Sequence, residues 1–205
     1  YNPELLGAPN FVPGVMALVL MLICAMMTSI SIVKEKELGT MEILLVSPIK
    51  PFLLIVAKVI PYLLVSIINL ITILLLSRYL LHLEIKGSLV LLFAESILFI
   101  ISSLALGLLI SVRAESQMSA MMTSQMSLML PTMLLTGFMF PIENMPWVMQ
   151  AIARVVPSRY YYTIVKAVML EGLGFSAIWK ETLILAFITF VLIVINLRSF
   201  KTRLA

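Results

Sequence analysis

Three features of this 205-residue sequence predict an all-α integral membrane protein. Hydrophobic residues make up 62% of it and charged residues 12%, where a soluble domain carries roughly half and a quarter. Mean hydropathy is +1.14. The charges cluster between long apolar runs, the pattern of lipid-crossing helices joined by polar turns. So much apolar side chain exceeds what a core of this size can hide, so the solvent is lipid. The net charge of +4 bears on orientation in the membrane, and no nucleic-acid partner is expected.

Residues 1–10 hold turn formers and no Lys or Arg, and read as an irregular lead-in. The start has neither Met nor a basic-then-apolar leader, so we expect a piece of a longer protein without a signal peptide. The first span is placed at about 11–33. Its residues Phe11 to Val33 carry no charge and would extend about 34 Å as a helix, against a hydrocarbon core of about 30 Å. The second is placed at about 52–77, with Lys58 near its start and Pro61 inside it. A short loop with Arg78, His82, Glu84 and Lys86 follows. The third span, about 88–112, contains Glu95. Ser103, Gly107 and Ser111 recur along it at four-residue spacing, which lets helices approach closely in lipid. Arg113 to Gln117 reads as a tight polar turn. The fourth span, about 118–140, is Met-rich with Pro131 inside, and Ser119, Thr123 and Ser127 form a stripe on one face.

Residues 141–176 differ, because their apolar runs are too short to cross. Trp147, Val148, Ala151, Ile152 and Val155 define one short helix. Pro157 breaks it, and Ser158 is expected to cap a second that ends before Gly172 and Gly174. This predicts a helical hairpin, re-entrant or interfacial. A fifth span at about 177–197 leads into a basic tail. Five spans put the two ends on opposite sides. Placing Lys34, Arg113 and the tail in the cytoplasm collects eight of the 14 Lys and Arg there, so the hairpin is expected outside.

The densest run of charge is Lys34 to Pro48, between the first two spans. Leu38, Met41 and Leu45 recur at helical spacing within it. That describes a short amphipathic helix on the membrane surface or docked on another protein. The chemical inventory elsewhere is thin. There is no Asp, one His and one Cys, Cys24, so no metal cluster, no intrachain disulfide and no catalytic site are expected. No phosphate-binding Gly-x4-Gly-Lys-Ser/Thr loop occurs, so ATP is not bound in that way.

The run Glu35-Lys-Glu-Leu-Gly-Thr-Met-Glu-Ile-Leu-Leu-Val-Ser-Pro48 resembles the cytoplasmic signature of ATP-binding-cassette type-2 permeases. Tyr1-Asn-Pro-Glu, Val12-Pro-Gly, Gly137-Phe-Met-Phe-Pro-Ile-Glu-Asn-Met-Pro-Trp and Pro157-Ser-Arg-Tyr-Tyr are similar to that family too, so the resemblance covers residues 1–205. It implies a membrane subunit of an ABC exporter with six spans, the first lying ahead of Tyr1. It implies that residues 34–48 form a coupling helix that enters a cleft on a cytoplasmic ATPase, with Glu35, Glu37, Gly39, Thr40 and Glu42 in contact. ATP and Mg would sit on that partner, and this chain would hold no cofactor. The resemblance further implies a second permease half, identical or similar, and a bacterial inner membrane. It makes the hairpin an outward gate, with Pro157, Tyr160, Tyr161 and Tyr162 as gate residues, or else interfacial anchors.

Other residues keep two readings. Glu95 either reaches the interface or pairs with a cation, or it faces the substrate path. Ser119, Thr123 and Ser127 either pack helices or line that path. The expected cargo is hydrophobic, drug-like or lipid-linked, moved by alternating access. An ion-gradient-driven carrier and a membrane-embedded enzyme are the alternatives. Glu95 alone supports the first poorly, and the absent Asp and single His oppose most metal-dependent forms of the second.

Overall fold

The structure, a computed structural model, describes residues 8–39, 51–80, 83, 85–140 and 142–201. Among these it is all helix and turn: α1 (Ala8–Glu37), α2 (Pro51–Tyr79), α3 (Leu89–Arg113), α4 (Gln117–Leu135), a 3-10 turn (Ile142–Asn144), α5 (Trp147–Ala153), α6 (Pro157–Met169) and α7 (Phe175–Lys201). Four stretches are long and apolar enough to cross a bilayer, namely Phe11–Glu37, Val59–Tyr79, Leu89–Arg113 and Phe175–Ser199.

The expected fourth span differs. Its helix is 19 residues and ends at Leu135 rather than near residue 140. Gly137 stops it by adopting a φ of 94°, a left-handed conformation that glycine enters without Cβ strain. The 19 residues of the helix are enough to span, but Gln117, Ser124, Gln125 and Thr132 dilute its apolar content below that of the four longer stretches.

The first helix also differs. It runs on through Lys34, Glu35, Lys36 and Glu37 before turning at Leu38 and Gly39. Those four residues therefore belong to α1 and not to a separate amphipathic helix. Residues from Thr40 to Lys50, with the rest of the expected coupling helix, lie outside the described residues, as does His82.

α1 is the centre of the bundle, packed chiefly on α3 and α4 and also on α2 and α6. Half of the apolar stretch of α1 and of α3 is buried in protein, but only 17% of that of α2 and α7, which form the periphery. Met16, Ala17, Leu20, Phe99, Ile164, Val165 and Leu185 make the core. The α1–α3 crossing depends on a hydrogen in place of a side chain. A Cβ at Gly107 would lie 2.3 Å from the Ala25 carbonyl oxygen. This is the close approach that the Ser103, Gly107, Ser111 spacing predicts, and all three residues are buried there.

The hairpin is tied into this bundle at the Phe11 end. Phe138 links Phe11 and Tyr162, at centroid separations of 6.1 and 6.5 Å. The Lys86 N–H donates to the Met169 carbonyl at 3.1 Å, fastening the α2–α3 connection to the end of α6. Ser158 does not cap α6. Val156 holds the cap position and Pro157 the first turn, where its missing N–H costs nothing.

Candidate functional site

The charged end of α1 and the α3–α4 turn form one unit. Two helix termini meet there, α3 presenting unsatisfied carbonyls and α4 unsatisfied N–H groups. Lys36 answers the first, its Nζ donating to the Ser111 carbonyl and, at 3.4 Å, to that of Val112. Glu37 answers the second, its carboxylate accepting the Gln117 N–H at 2.8 Å and the Gln117 side-chain amide. Ser116 adds a side-chain cap, accepting the Ser119 N–H at 3.1 Å. A cation on a helix C-terminus and an anion on an N-terminus are each favoured by the helix dipole. Adjacent residues of opposite sign on α1 thus bracket the turn between α3 and α4.

Gly39 follows, at a φ of 68°, with its N–H on the Lys36 carbonyl at 3.2 Å. It closes α1 rather than opening the next helix, and a Cβ there would meet nothing within 4 Å. Glu35 is half-buried beside it. Thr40 and Glu42 lie outside the described residues.

The gate residues separate. Pro157 is buried at the start of α6. The Tyr160 hydroxyl donates to the Arg154 carbonyl at 2.7 Å and closes the α5–α6 turn. Tyr161 is fully buried, stacked on Phe99 at 4.1 Å with 3° between the rings, its hydroxyl hydrogen-bonded to Ser96 at 2.7 Å. Phe99 lies ten residues into α3, about 15 Å from its start. Tyr161 therefore reaches into the bundle rather than lying on its surface. Tyr162, also buried, faces Phe138. The hairpin's start is held by hydroxyls, Ser158 bonding Thr136 at 3.3 Å and Thr132 at 3.4 Å, while Thr132 donates to the Met21 sulfur at 3.2 Å.

Glu95 is 4% exposed, between α3 and α7. One carboxylate oxygen accepts the Thr182 hydroxyl at 2.9 Å and the other has no hydrogen-bond partner. It neither reaches the surface nor pairs with a cation among the described residues. Ser119, Thr123 and Ser127 lie on the exposed side of α4. The buried stripe is displaced by one residue, to Ala120, Ser124, Leu128, Thr132 and Leu135. Among the described residues the polar stripe is therefore left exposed. Sequence reasoning missed Thr182 and Asn196, although a lone Asn inside an apolar run is a visible signal.

Four long apolar helices, a hairpin whose second helix packs into them and a charged knot at one end are the features of an integral membrane protein. The ABC-2 family transporter model matches residues 1–198, and the chain belongs to that family. It is 34% identical over 172 residues to the "Probable multidrug ABC transporter permease YbhS" of Escherichia coli K12, covering 84% of this chain and 46% of that protein. To "Probable multidrug ABC transporter permease YbhR" of the same strain it is 30% identical, over 88% of this chain and 49% of the relative. To its "Inner membrane transport permease YhhJ" it is 28% identical, over 98% and 54%. The chain thus spans about half the length of the curated relatives it matches.

Proposed function

We propose that this chain is the membrane-spanning part of a permease half in an ATP-driven exporter. A cytoplasmic ATPase closes on ATP and Mg, pushes the segment after α1, and the bundle alternates between inward and outward opening. The relatives named as multidrug permeases favour a hydrophobic, drug-like cargo, with lipid-linked molecules the close variant. In this reading α4 is the fourth of five visible spans, the α5–α6 hairpin is a re-entrant extracellular gate, and the membrane is the bacterial inner one.

One observation carries the reading. The charged residues before Gly39 are clamped to the ends of α3 and α4 by Lys36 and Glu37. A push on residues 40–50 is then delivered to three helices at once, the behaviour of a rigid lever rather than a slack loop. The Gly39 turn sets the direction in which the chain leaves α1.

The test is Gly39→Trp in the full-length protein, reconstituted with its partner ATPase once co-purification has identified one. A bulky residue in a left-handed turn reorients the segment. The expected result is a transport loss of about ten-fold or more, with ATP hydrolysis no longer stimulated by cargo; binding and transport both at wild-type level would refute the lever. Sidedness is read by cysteines at Asn144 and Glu115. An impermeant maleimide on intact cells is expected to label the first and spare the second.

Glu95 supports a second reading, an ion-driven carrier, because a carboxylate buried within a span is where such proteins place their proton or ion sites. Transport driven by a proton gradient without ATP, and abolished in Glu95→Gln, would select that reading.

A further inference from the structure

α6 is held on two flanks by different means. Toward α3 the hold is close and largely apolar. The Tyr161 ring stacks on Phe99 at 4.1 Å, and its hydroxyl bonds Ser96 at 2.7 Å. At the end of α6 the Lys86 N–H donates to the Met169 carbonyl at 3.1 Å. A Cβ at Gly87 would collide with the Val168 carbonyl oxygen, so backbone meets backbone there. Opening this flank would strip ring and backbone contacts together.

Toward α4 the means are hydroxyls. Ser158 of α6 and Thr132 and Thr136 of α4 are 0%, 0% and 1% exposed. The Ser158 hydroxyl lies 3.4 Å from Thr132 Oγ1 and 3.3 Å from Thr136 Oγ1. Both exceed the usual O–H···O separation of about 2.7–2.8 Å. Thr132 gives its proton to the Met21 sulfur of α1 at 3.2 Å, a weak acceptor. Buried hydroxyls elsewhere in the spans donate to a carbonyl of their own helix, as Ser66, Ser96, Ser103 and Thr189 do. Thr132 and Ser158 are instead committed between helices, on long bonds. Past the end of α4, beyond Gly137, the Phe138 ring seats on α1 at Gly14, where a Cβ would collide with it. The same ring faces Tyr162 of α6 at 6.5 Å.

The two flanks differ in what opening costs. An apolar contact opened to water loses its burial, whereas a hydroxyl released from a long bond finds a better partner in water. We propose that the hairpin opens along α4. Ser158 parts from Thr132 and Thr136, Phe138 lifts off Gly14, and water enters between α4 and α6 while α6 keeps its seat on α3. The hydroxyls then stabilise the open state, by taking up water, more than they hold the closed one. The proposal rests on the reading of the hairpin as the outer gate.

The experiment places single cysteines in full-length protein with every native cysteine replaced, and applies an impermeant maleimide to intact cells. Ser158 and Ser96 are both fully buried, one on each flank of α6. Ser158→Cys is expected to react about ten-fold faster than Ser96→Cys, as local opening on one flank requires. Equal rates, or the reverse order, overturn the proposal. Unfolding exposes both positions alike and cannot mimic the expected order. Thr132→Val keeps the shape and removes the hydroxyl, so it is expected to slow labelling at Ser158→Cys about five-fold, since valine gains nothing from water. Faster labelling in that variant would make the hydroxyls a clasp and overturn the proposal. Phe138→Ala is expected to speed labelling at Ser158→Cys about three-fold and leave Ser96→Cys unchanged; acceleration of both alike would mean general loosening and count against it. Asn144→Cys on the same cells tests the gate reading separately. If it stays unlabelled, the hairpin is not outside and that reading fails. If it labels while the two buried positions react equally, the reading stands and the parting line alone fails.

Discussion

Tyr161 shows how one residue fastens the hairpin to the bundle. Its ring contributes stacking on Phe99 and full burial, while its hydroxyl contributes a single bond to Ser96. These separate by mutation. Tyr161→Phe keeps the stack and removes the bond, at a cost of about 0.6 to 1 kcal/mol, the usual worth of such bonds between membrane helices. Ser96 is not stranded, because its hydroxyl already donates to the Leu92 carbonyl at 2.7 Å. Tyr161→Ala opens a hole and should cost about 3 to 5 kcal/mol. Thermal unfolding of the detergent-solubilised full-length protein measures both, and equal losses would mean that the hydroxyl rather than the ring holds α6. The three consecutive tyrosines look interchangeable in sequence, since composition does not say which way each one faces. Lys36 and Glu37 pose the same difficulty. Their charges stand out at once, but their partners lie some 75 to 80 residues along the chain, and only packing brings two helix ends beside them.

At the scale of elements, the existence of the long helices is written in charge-free length, and so is the small-residue seam at Gly107. Their ends are less legible. The charges of Lys34 to Glu37 suggest exit from the helix, yet α1 continues because α3 and α4 offer those charges termini to bind. α4 stops early because Gly137 turns left-handed, inside a run that by apolar content alone would continue to Phe140. The α1–α2 contact gives a direct test of pairing. Cys24 is buried on α1, its sulfur 2.9 Å from the Ser66 hydroxyl on α2. Ser66→Cys should therefore form a disulfide with the native Cys24 under a membrane-permeant oxidant. Mass spectrometry of the digested protein should show a peptide pair joining α1 to α2, absent in wild type. If the two helices slide during transport, the oxidised protein loses activity and a reductant restores it; full activity when oxidised would show that α1 and α2 move as one body.

At the scale of the whole molecule, apolar surface remains on two sides, and the two differ in chemistry. α7 turns Leu183, Phe187, Phe190 and Val191 outward, a purely apolar surface suited to lipid. α4 turns Met118, Met121, Met122 and Met126 outward, interleaved with Ser119, Thr123 and Ser127. Hydroxyls on a lipid-facing helix gain nothing from lipid, whereas flexible thioethers beside hydroxyls make an adaptable wall for a second protein surface or a cargo between two such surfaces. The proposed transporter needs a second permease half, and this face is the one whose chemistry fits it. If that half is a copy of this chain, the pairing is two-fold and each residue near the axis meets its own counterpart. Thr123→Cys in full-length protein with every native cysteine replaced, Cys24→Ala included, should then cross-link to a dimer with a short bifunctional maleimide. Phe187→Cys, equally accessible but on α7, should stay monomeric. Saturating a hydrophobic cargo should slow cross-linking at Thr123 if cargo lies between the halves, and leave it unchanged if the face is only an interface. Cross-linking through α7 and not α4 would put the partner on the α7 side of the bundle and would reassign the α4 hydroxyls to a contact within a longer chain.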